Sequence, residues 1–398
     1  MKKLFSGIGL LCLAFSVFAA PESKFSAKII LTKAVNIEDQ FCNILPDRPP
    51  FFPLVSNVVC GERFFAEIIF LGASPKDGSA RLSGKITICD PNGKKEVIPL
   101  KERSFKMTGD PKGVFLFPQS LGISFEPQDP QGCHRIELEL KDIHAGLTAT
   151  NSAQVEYVTD VPAAPEEEAL EKLGNYYRAP CPENILPAFR AYLKKIPAQK
   201  EKEKLNFNPF PQLALFYFCL RENPQCIDAF AAEVAKLQDS EQKMLGGIIL
   251  YFLSEDAAKK LSPAEKQQIS RVMPGNPFEV KKASAPWHLD ICWAEFFVRG
   301  TRAPLIKIVD ALALVKDSIS IQDFKKIAKP TAADRNKLFN GLIAMAARWS
   351  IHSLVKQHPL IRYYIEAALH RREIQDPFAG AAAAGAIGMK VRLSPPAK

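Results

Sequence analysis

The residue types able to do chemistry are few and scattered along this sequence. Six histidines stand at His134, His144, His288, His352, His358 and His370. They include no H-E-x-x-H motif and no i, i+4 pair able to face one metal. Trp287-His288-Leu289-Asp290 places an imidazole two residues from a carboxylate, but capping the helix that follows is the simpler role. His352 and His358 are six residues apart and share a helical face poorly. Ser240-Glu-Gln-Lys243 fits the S-x-x-K pattern of serine–lysine acylases. The companion S-D-N and K-T-G motifs are missing, and Asp239-Ser240 reads better as a helix N-cap. Phosphate-cradling G-x-x-x-x-G-K, G-x-G-x-x-G and the G-x-S-x-G elbow do not occur. No catalytic, cofactor-binding or metal-binding residue is named from the sequence, no cofactor is expected, and the chain reads as a non-enzyme.

Of nine cysteines, one (Cys12) lies in the N-terminal leader and eight lie beyond it. The leader has a cationic start, Met1-Lys2-Lys3, an apolar run from Leu4 to Phe18, and small residues through Ala19-Ala20. This is the layout of a bacterial secretory signal over residues 1–20, and the run is shorter than a spanning helix needs. The mature chain is expected to be exported, periplasmic or secreted, with no transmembrane segment after signal removal. Even numbers of cysteines in an exported chain favour disulfides. The candidates are Cys42, Cys60, Cys89 and Cys133 in the first half, and Cys181, Cys219 and Cys226 in the second. Cys42–Cys60 and Cys89–Cys133 are the preferred pairs in the first half, although four cysteines allow three connectivities. Cys292 lies on an apolar helical face and reads equally as a buried thiol. Without C-x-x-C, neither a zinc knuckle nor a thioredoxin-like pair is supported.

Two modules must position whatever site exists. The 398 residues are 47% hydrophobic and 24% charged, which excludes global disorder and a polytopic membrane protein. From residue 21 to 158 the hydrophobic period is two, as in Arg135-Ile-Glu-Leu-Glu-Leu-Lys141. Turn signals such as Pro75-Lys-Asp-Gly78, Asp90-Pro-Asn-Gly93 and Asp129-Pro-Gln-Gly132 separate the runs, so an Ig-like antiparallel β-sandwich is expected. Four prolines between Pro46 and Pro53 predict a loop. Residues 159–168 read as a linker, 169–375 as an all-α helical bundle or irregular α-solenoid, and 376–398 as a flexible basic tail. Ser262-Pro-Ala-Glu265 and Thr331-Ala-Ala-Asp334 mark helix starts, and Asn223-Pro224 another. Leu289, Cys292, Trp293, Phe296 and Phe297 share one face, and these aromatics, like Trp349, are expected in the core.

The net charge of +9 is unevenly placed. Residues 325–398 hold thirteen Lys and Arg against four Asp and Glu, so the whole basic excess sits in the last fifth of the chain. Such asymmetry suggests an acidic partner, with Lys325, Lys326, Lys329, Arg371 and Arg372 as candidate contacts to an anionic envelope surface. Ordinary solvated helix faces are the plainer account. Nucleic acid is disfavoured by export and by the lack of a basic–aromatic pattern.

Two stretches carry a resemblance. Phe70-Leu-Gly-Ala-Ser-Pro-Lys-Asp-Gly78, Ile88-Cys-Asp-Pro-Asn-Gly93 and Leu121 through Asp142 resemble an Ig-like module of uncharacterised exported bacterial proteins. Leu289 through Phe297 with Gly300, Ile306 to Leu312, and Ala346-Ala-Arg-Trp-Ser350 with His358 resemble a helical module of similar proteins. The resemblance implies export and a two-domain build, and no activity. The functional expectation is a non-catalytic protein-binding or scaffold protein of the envelope with an unidentified protein partner. The alternatives are a peripheral binder of anionic lipid, lipopolysaccharide or wall polymer, and an enzyme of unrecognised type.

Overall fold

The computed structural model describes residues 25–45, 47–107, 113–203 and 208–389. The signal-like residues 1–20, Pro46, Lys204 and the terminal Lys390, Arg392 and Lys398 lie outside the described residues. The first part of the chain runs β1 (Ser26–Thr32), α1 (Ile37–Asn43), β2 (Asn57–Val58), β3 (Phe64–Leu71), β4 (Ser79–Cys89), β5 (Lys95–Lys106), β6 (Phe115–Leu116), β7 (Leu121–Ile123), β8 (Gly132–Asp142) and β9 (Leu147–Tyr157). Helices follow: α2 (Glu166–Leu173), α3 (Ile185–Glu203), α4 (Phe210–Glu222), α5 (Ile227–Lys236), α6 (Ser240–Leu253), α7 (Glu255–Ala258), α8 (Pro263–Val272), α9 (Pro286–Arg299), α10 (Arg302–Ala311), α11 (Ile321–Lys325), α12 (Ala332–Leu354), α13 (Pro359–His370) and α14 (Pro377–Ala386). The expected order, sheets and then helices, is therefore present.

The chain divides into two compact units. The first takes the described residues among 25–32, 65–123 and 130–157, and holds two antiparallel sheets. In one sheet β3 lies between β1 and β6, and β7 also pairs with β3. In the other, four strands run in the order β9, β8, β4, β5. The alternation in β8 decides its faces: Ile136, Leu138 and Leu140 are buried, while Arg135, Glu139 and Lys141 face out. Ile86 stands opposite Leu138, and Lys85 reaches Glu139 across the strands at 3.0 Å. At Gly84 the β4–β5 register shifts, and a Cβ there would lie 2.1 Å from the Glu139 carbonyl oxygen, so only glycine fits. β5 is an outer strand, and Lys95, Glu96, Pro99, Lys101 and Arg103 blunt its open edge.

The second unit takes residues 33–64, 124–129 and 158 onward. Residues 33–64, read from the sequence as part of the sandwich domain, fold as a strap on the helices, because their polar groups match unpaired backbone there. Asn36 Nδ2 donates to the Gly300 carbonyl at 2.8 Å, and Asp39 accepts from the Arg302 backbone N–H. The Gln40 amide clamps Phe51 through both main-chain groups, at 2.6 and 2.8 Å. Arg48 pairs with buried Glu366 at 3.0 Å, and Arg371 donates to the Cys42 carbonyl at 2.6 Å. The described residues 47–53 lack regular elements, as Pro49, Pro50 and Pro53 require.

Helix starts follow the local chemistry closely. Ser262 and Thr331 both form complete capping boxes, and Asp239 caps α6. Asn223 does not cap α5; its amide instead donates to the Tyr176 hydroxyl and the Cys219 carbonyl, each at 2.7 Å. α4 is buried nearly all round, through Leu213, Phe216, Tyr217 and Leu220, and packs on α9. In α9, Leu289, Cys292, Trp293 and Phe296 are buried as their spacing predicts. The segment from Pro377 to Ala386, expected to belong to a flexible or weakly helical terminus, is a helix. Its small side chains let Ala379, Ala383 and Ala384 bury completely.

Between α9 and α10 the chain reverses at Gly300, with φ +61° and its N–H bonded to the Phe296 carbonyl. A Cβ there would lie 2.5 Å from Asn36 Nδ2 and 2.7 Å from the Tyr177 ring. Gly300→Ala is expected to destabilise the helical unit by about 2–3 kcal/mol. Tryptophan fluorescence during urea unfolding measures this, since Trp287, Trp293 and Trp349 all lie in that unit. An unchanged midpoint would refute the assignment.

Candidate functional site

Among the described residues, many of the groups able to do acid–base chemistry are engaged in the fold, whereas burial lifts the Asp290 carboxyl to about 6. Asp142 accepts the backbone N–H groups of Ser74, His144 and Ala145 at 2.7 to 3.3 Å. Glu62 pairs with Lys33 and accepts from the Val59 N–H, Glu67 accepts from Ser120, and Glu366 is held between Arg48 and Arg362. Ser240 lies in the first turn of α6, and Lys243 pairs with Glu265 at 3.2 Å, so no serine–lysine pair exists. His288 Nδ1 accepts from the Ser284 N–H at 3.1 Å, but neither it nor Asp290 caps α9, whose N-cap Ala285 has no side-chain cap bond. His352 Nδ1 sits 3.2 Å from the Ala386 carbonyl. No group of three or more His, Cys, Asp or Glu side chains is placed to hold a metal among the described residues.

His358 has the most unusual surroundings of the six. It is buried at the start of α13, stacked on Phe297 at 4.9 Å, with Phe296 and Tyr177 beside it. The Tyr177 hydroxyl lies 3.2 Å from Nδ1. Loss of hydration in this cage, with the Arg178 charge adding to it, lowers the imidazole to about 4. It is neutral at pH 7 and closed to a ligand.

All eight described cysteines are free thiols. Cys42, Cys60 and Cys133 are exposed, Cys89, Cys181, Cys219 and Cys292 buried, and Cys226 in between. On adjacent strands, Cys89 stands opposite Arg135 and Cys133 opposite Glu156, two positions out of register with each other. Burial pushes the Cys181 thiol up to about 11 and those of Cys226 and Cys292 up to about 12, so none of these three is a nucleophilic thiolate at neutral pH.

The feature that stands apart is the outer face of α12. Ile343, Ala347 and Ile351 anchor its inner face. On the opposite side, Leu338, Leu342, Met345 and Trp349 recur at intervals of four, three and four, which is one helical stripe. Trp349 is 72% exposed, Met345 58% and Phe339, at the edge of the stripe, 51%. Trp349, expected in the core with Trp293, Phe296 and Phe297, is therefore a surface residue. The two-sidedness is readable in the sequence as two apolar stripes on one helix, yet a search for one core face absorbs both. Arg335, Lys337, Arg348 and Lys356 lie on or beside this helix and form no ion pair among the described residues.

The five cations singled out from the sequence are not gathered in the same way. Lys325 and Lys329 are exposed, Lys326 is tied to Asp323 at 2.8 Å, Arg371 is spent on the Cys42 carbonyl, and Arg372 is exposed at φ +56°. No helix of the described residues is long and apolar enough to cross a membrane.

No family model matches the sequence, and no curated protein matches it. Solved structures that it resembles include a family 123 glycoside hydrolase from Clostridium perfringens, described in terms of glycolipid glycan hydrolysis. The identity is 11%, the TM-score 0.21, and the match covers 46% of this chain and 37% of that one. The chain thus spans well under half of that neighbour. The expectation of a non-catalytic scaffold is corrected at this point: the neighbour described is a hydrolase, and that expectation goes no further. At this TM-score the likeness supplies neither a reaction nor a substrate for this protein.

The His358 cage predicts acid sensitivity with a definite sign. The unfolded chain binds the proton near pH 6.5 and the folded chain only near 4, so stability falls as pH drops through that window, by up to about 3 kcal/mol. Urea midpoints measured across this range should fall for the wild type and flatten in His358→Gln. Parallel curves would remove His358 as the cause.

Proposed function

We propose that the helical unit attaches peripherally to an anionic lipid surface through the outer face of α12. The observation that carries this reading is Trp349, 72% exposed on a stripe with Met345, Leu342 and Leu338. Indole is suited to the boundary between headgroup and acyl chain, because its ring is apolar while its N–H stays hydrogen-bonded. Charge supports the same partner: the described residues 325–389 carry ten Lys and Arg against four Asp and Glu, and four of the ten on or beside α12 are unpaired there. Lys325 and Lys329 extend the basic surface.

The magnitudes describe reversible attachment. Burying side chains of this size contributes on the order of 1–2 kcal/mol each, and each basic residue near an anionic leaflet about 1 kcal/mol. Immobilising the chain offsets part of the sum. The result is micromolar to millimolar binding that weakens with salt, not permanent anchoring. The leader-like residues 1–20 support delivery of the mature chain to a bacterial envelope, where such a surface is at hand. The paired antiparallel sheets, with their buried alternate residues, support the Ig-like sandwich reading of the first unit.

Vesicle flotation tests the proposal. The chain should float with phosphatidylcholine vesicles that contain phosphatidylglycerol, and not with phosphatidylcholine alone, and high salt should release it. Tryptophan emission should shift to the blue on binding, and Trp349→Phe should abolish the shift. Met345→Ser with Trp349→Ser should weaken binding at least about tenfold, without changing the urea midpoint, since both side chains are exposed. Equal capture of the double variant would overturn the reading. Failure to float, together with concentration-dependent dimerisation through Trp349, would assign the stripe to a second copy instead.

A further inference from the structure

We propose, resting on the lipid reading of α12, that Met345 is an oxidation site at which a peroxide-class oxidant releases the helical unit from the anionic surface. Among the described methionines Met345 is the most exposed, at 58%; Met389 follows at 37%, and Met107, Met244 and Met273 are part-buried. Met345 lies in the middle of the apolar stripe, three residues after Leu342 and four before Trp349, positions that are neighbours on a helix surface. The methionine most open to a small oxidant is therefore the one on which attachment depends.

The chemistry needs no activation by the protein. A lone pair of the thioether sulfur attacks one oxygen of hydrogen peroxide, and an S–O bond forms as the O–O bond breaks. The departing hydroxide takes the proton from the transferred oxygen and leaves as water. Sulfur is oxidised by two electrons and the peroxide is reduced by two, giving methionine sulfoxide. A flexible apolar side chain thereby becomes polar, with an oxygen that accepts hydrogen bonds. In water this costs the fold little, because the side chain is already largely solvated. Against lipid it is unfavourable: the new oxygen must give up its water at the acyl boundary or hold the helix away from it. Trp349, one turn further on the same stripe, is then held away as well.

The test is mild hydrogen peroxide treatment of the full chain, read by peptide mass mapping and by flotation with phosphatidylcholine–phosphatidylglycerol vesicles. The peptide that holds Met345 should gain one oxygen before those that hold Met244 or Met273, and vesicles added beforehand should protect it. Oxidised wild type should bind at least about fivefold more weakly, with an unchanged urea midpoint. Met345→Leu should float as well after treatment as before, which separates Met345 from the exposed thiols Cys42, Cys60 and Cys133. Met345→Gln, polar and of similar length, should bind weakly without any oxidant. Undiminished flotation of wild type oxidised at Met345, slower oxidation there than at the part-buried methionines, or loss of binding by treated Met345→Leu would overturn this proposal and leave the lipid reading standing. An untreated chain that does not float would overturn the lipid reading and this proposal with it.

Discussion

The carbonyl of Gly300 is the point on which the helical unit turns. Backbone oxygens at a helix end have no partner within the helix, and burying one unpaired costs about 1–3 kcal/mol. Here the oxygen accepts from the Asn36 amide at 2.8 Å and the Tyr364 hydroxyl at 3.1 Å. One atom thereby ties three distant parts of the chain: the strap at 33–64, the α9–α10 reversal and α13. Tyr177, packed against the same glycine, passes the constraint to His358 and so to the start of α13. Arg48, Glu366 and Arg362 close the arrangement from the other side. This explains why a segment with the composition of a sheet-domain loop belongs to the helices: its polar side chains complete their backbone.

Much of the buried polar chemistry is likewise spent on the fold. The buried carboxylates described above accept from backbone N–H groups, a hydroxyl or basic side chains, His358 is stacked and neutral, His288 and His352 are hydrogen-bonded to the main chain, and the deeply buried thiols are held protonated. What stands apart at the surface is the apolar stripe on α12, of the kind that an amphipathic surface completes.

The local features of the fold were those most readable in the amino-acid sequence. Alternation in β8, the Asn92-Gly93 turn, and the boxes at Ser262 and Thr331 each arise from interactions within a few residues, so composition and spacing reveal them. The strap was hidden because Asn36, Asp39 and Gln40 find their partners some 260 residues on at Gly300 and Arg302, or across a proline-rich loop at Phe51. Periodicity carries no information about such pairings. The α12 stripe failed differently. Trp349 has the helical spacing of a core residue, and nothing local distinguishes an apolar stripe that faces inward from one that faces out. Formal charge is likewise a blunt signal: it points to the C-terminal region, yet Lys326 and Arg371 are engaged within the fold while Arg335 and Arg348 form no ion pair among the described residues.

The route of the chain through its two units has a consequence for how it is made. Strands β1 and β3 are neighbours in one sheet, but the residues that join them complete a surface that includes Gly300, Arg302 and Glu366. During synthesis from the N-terminus, that joining segment must wait for most of the polypeptide before its partners exist. Closure over such separations is slow, and the joining segment stands for that time without its partners. A chain of this design matures late, as a whole, and a fragment cut at residue 158 would retain the strap without the groups it is built to meet.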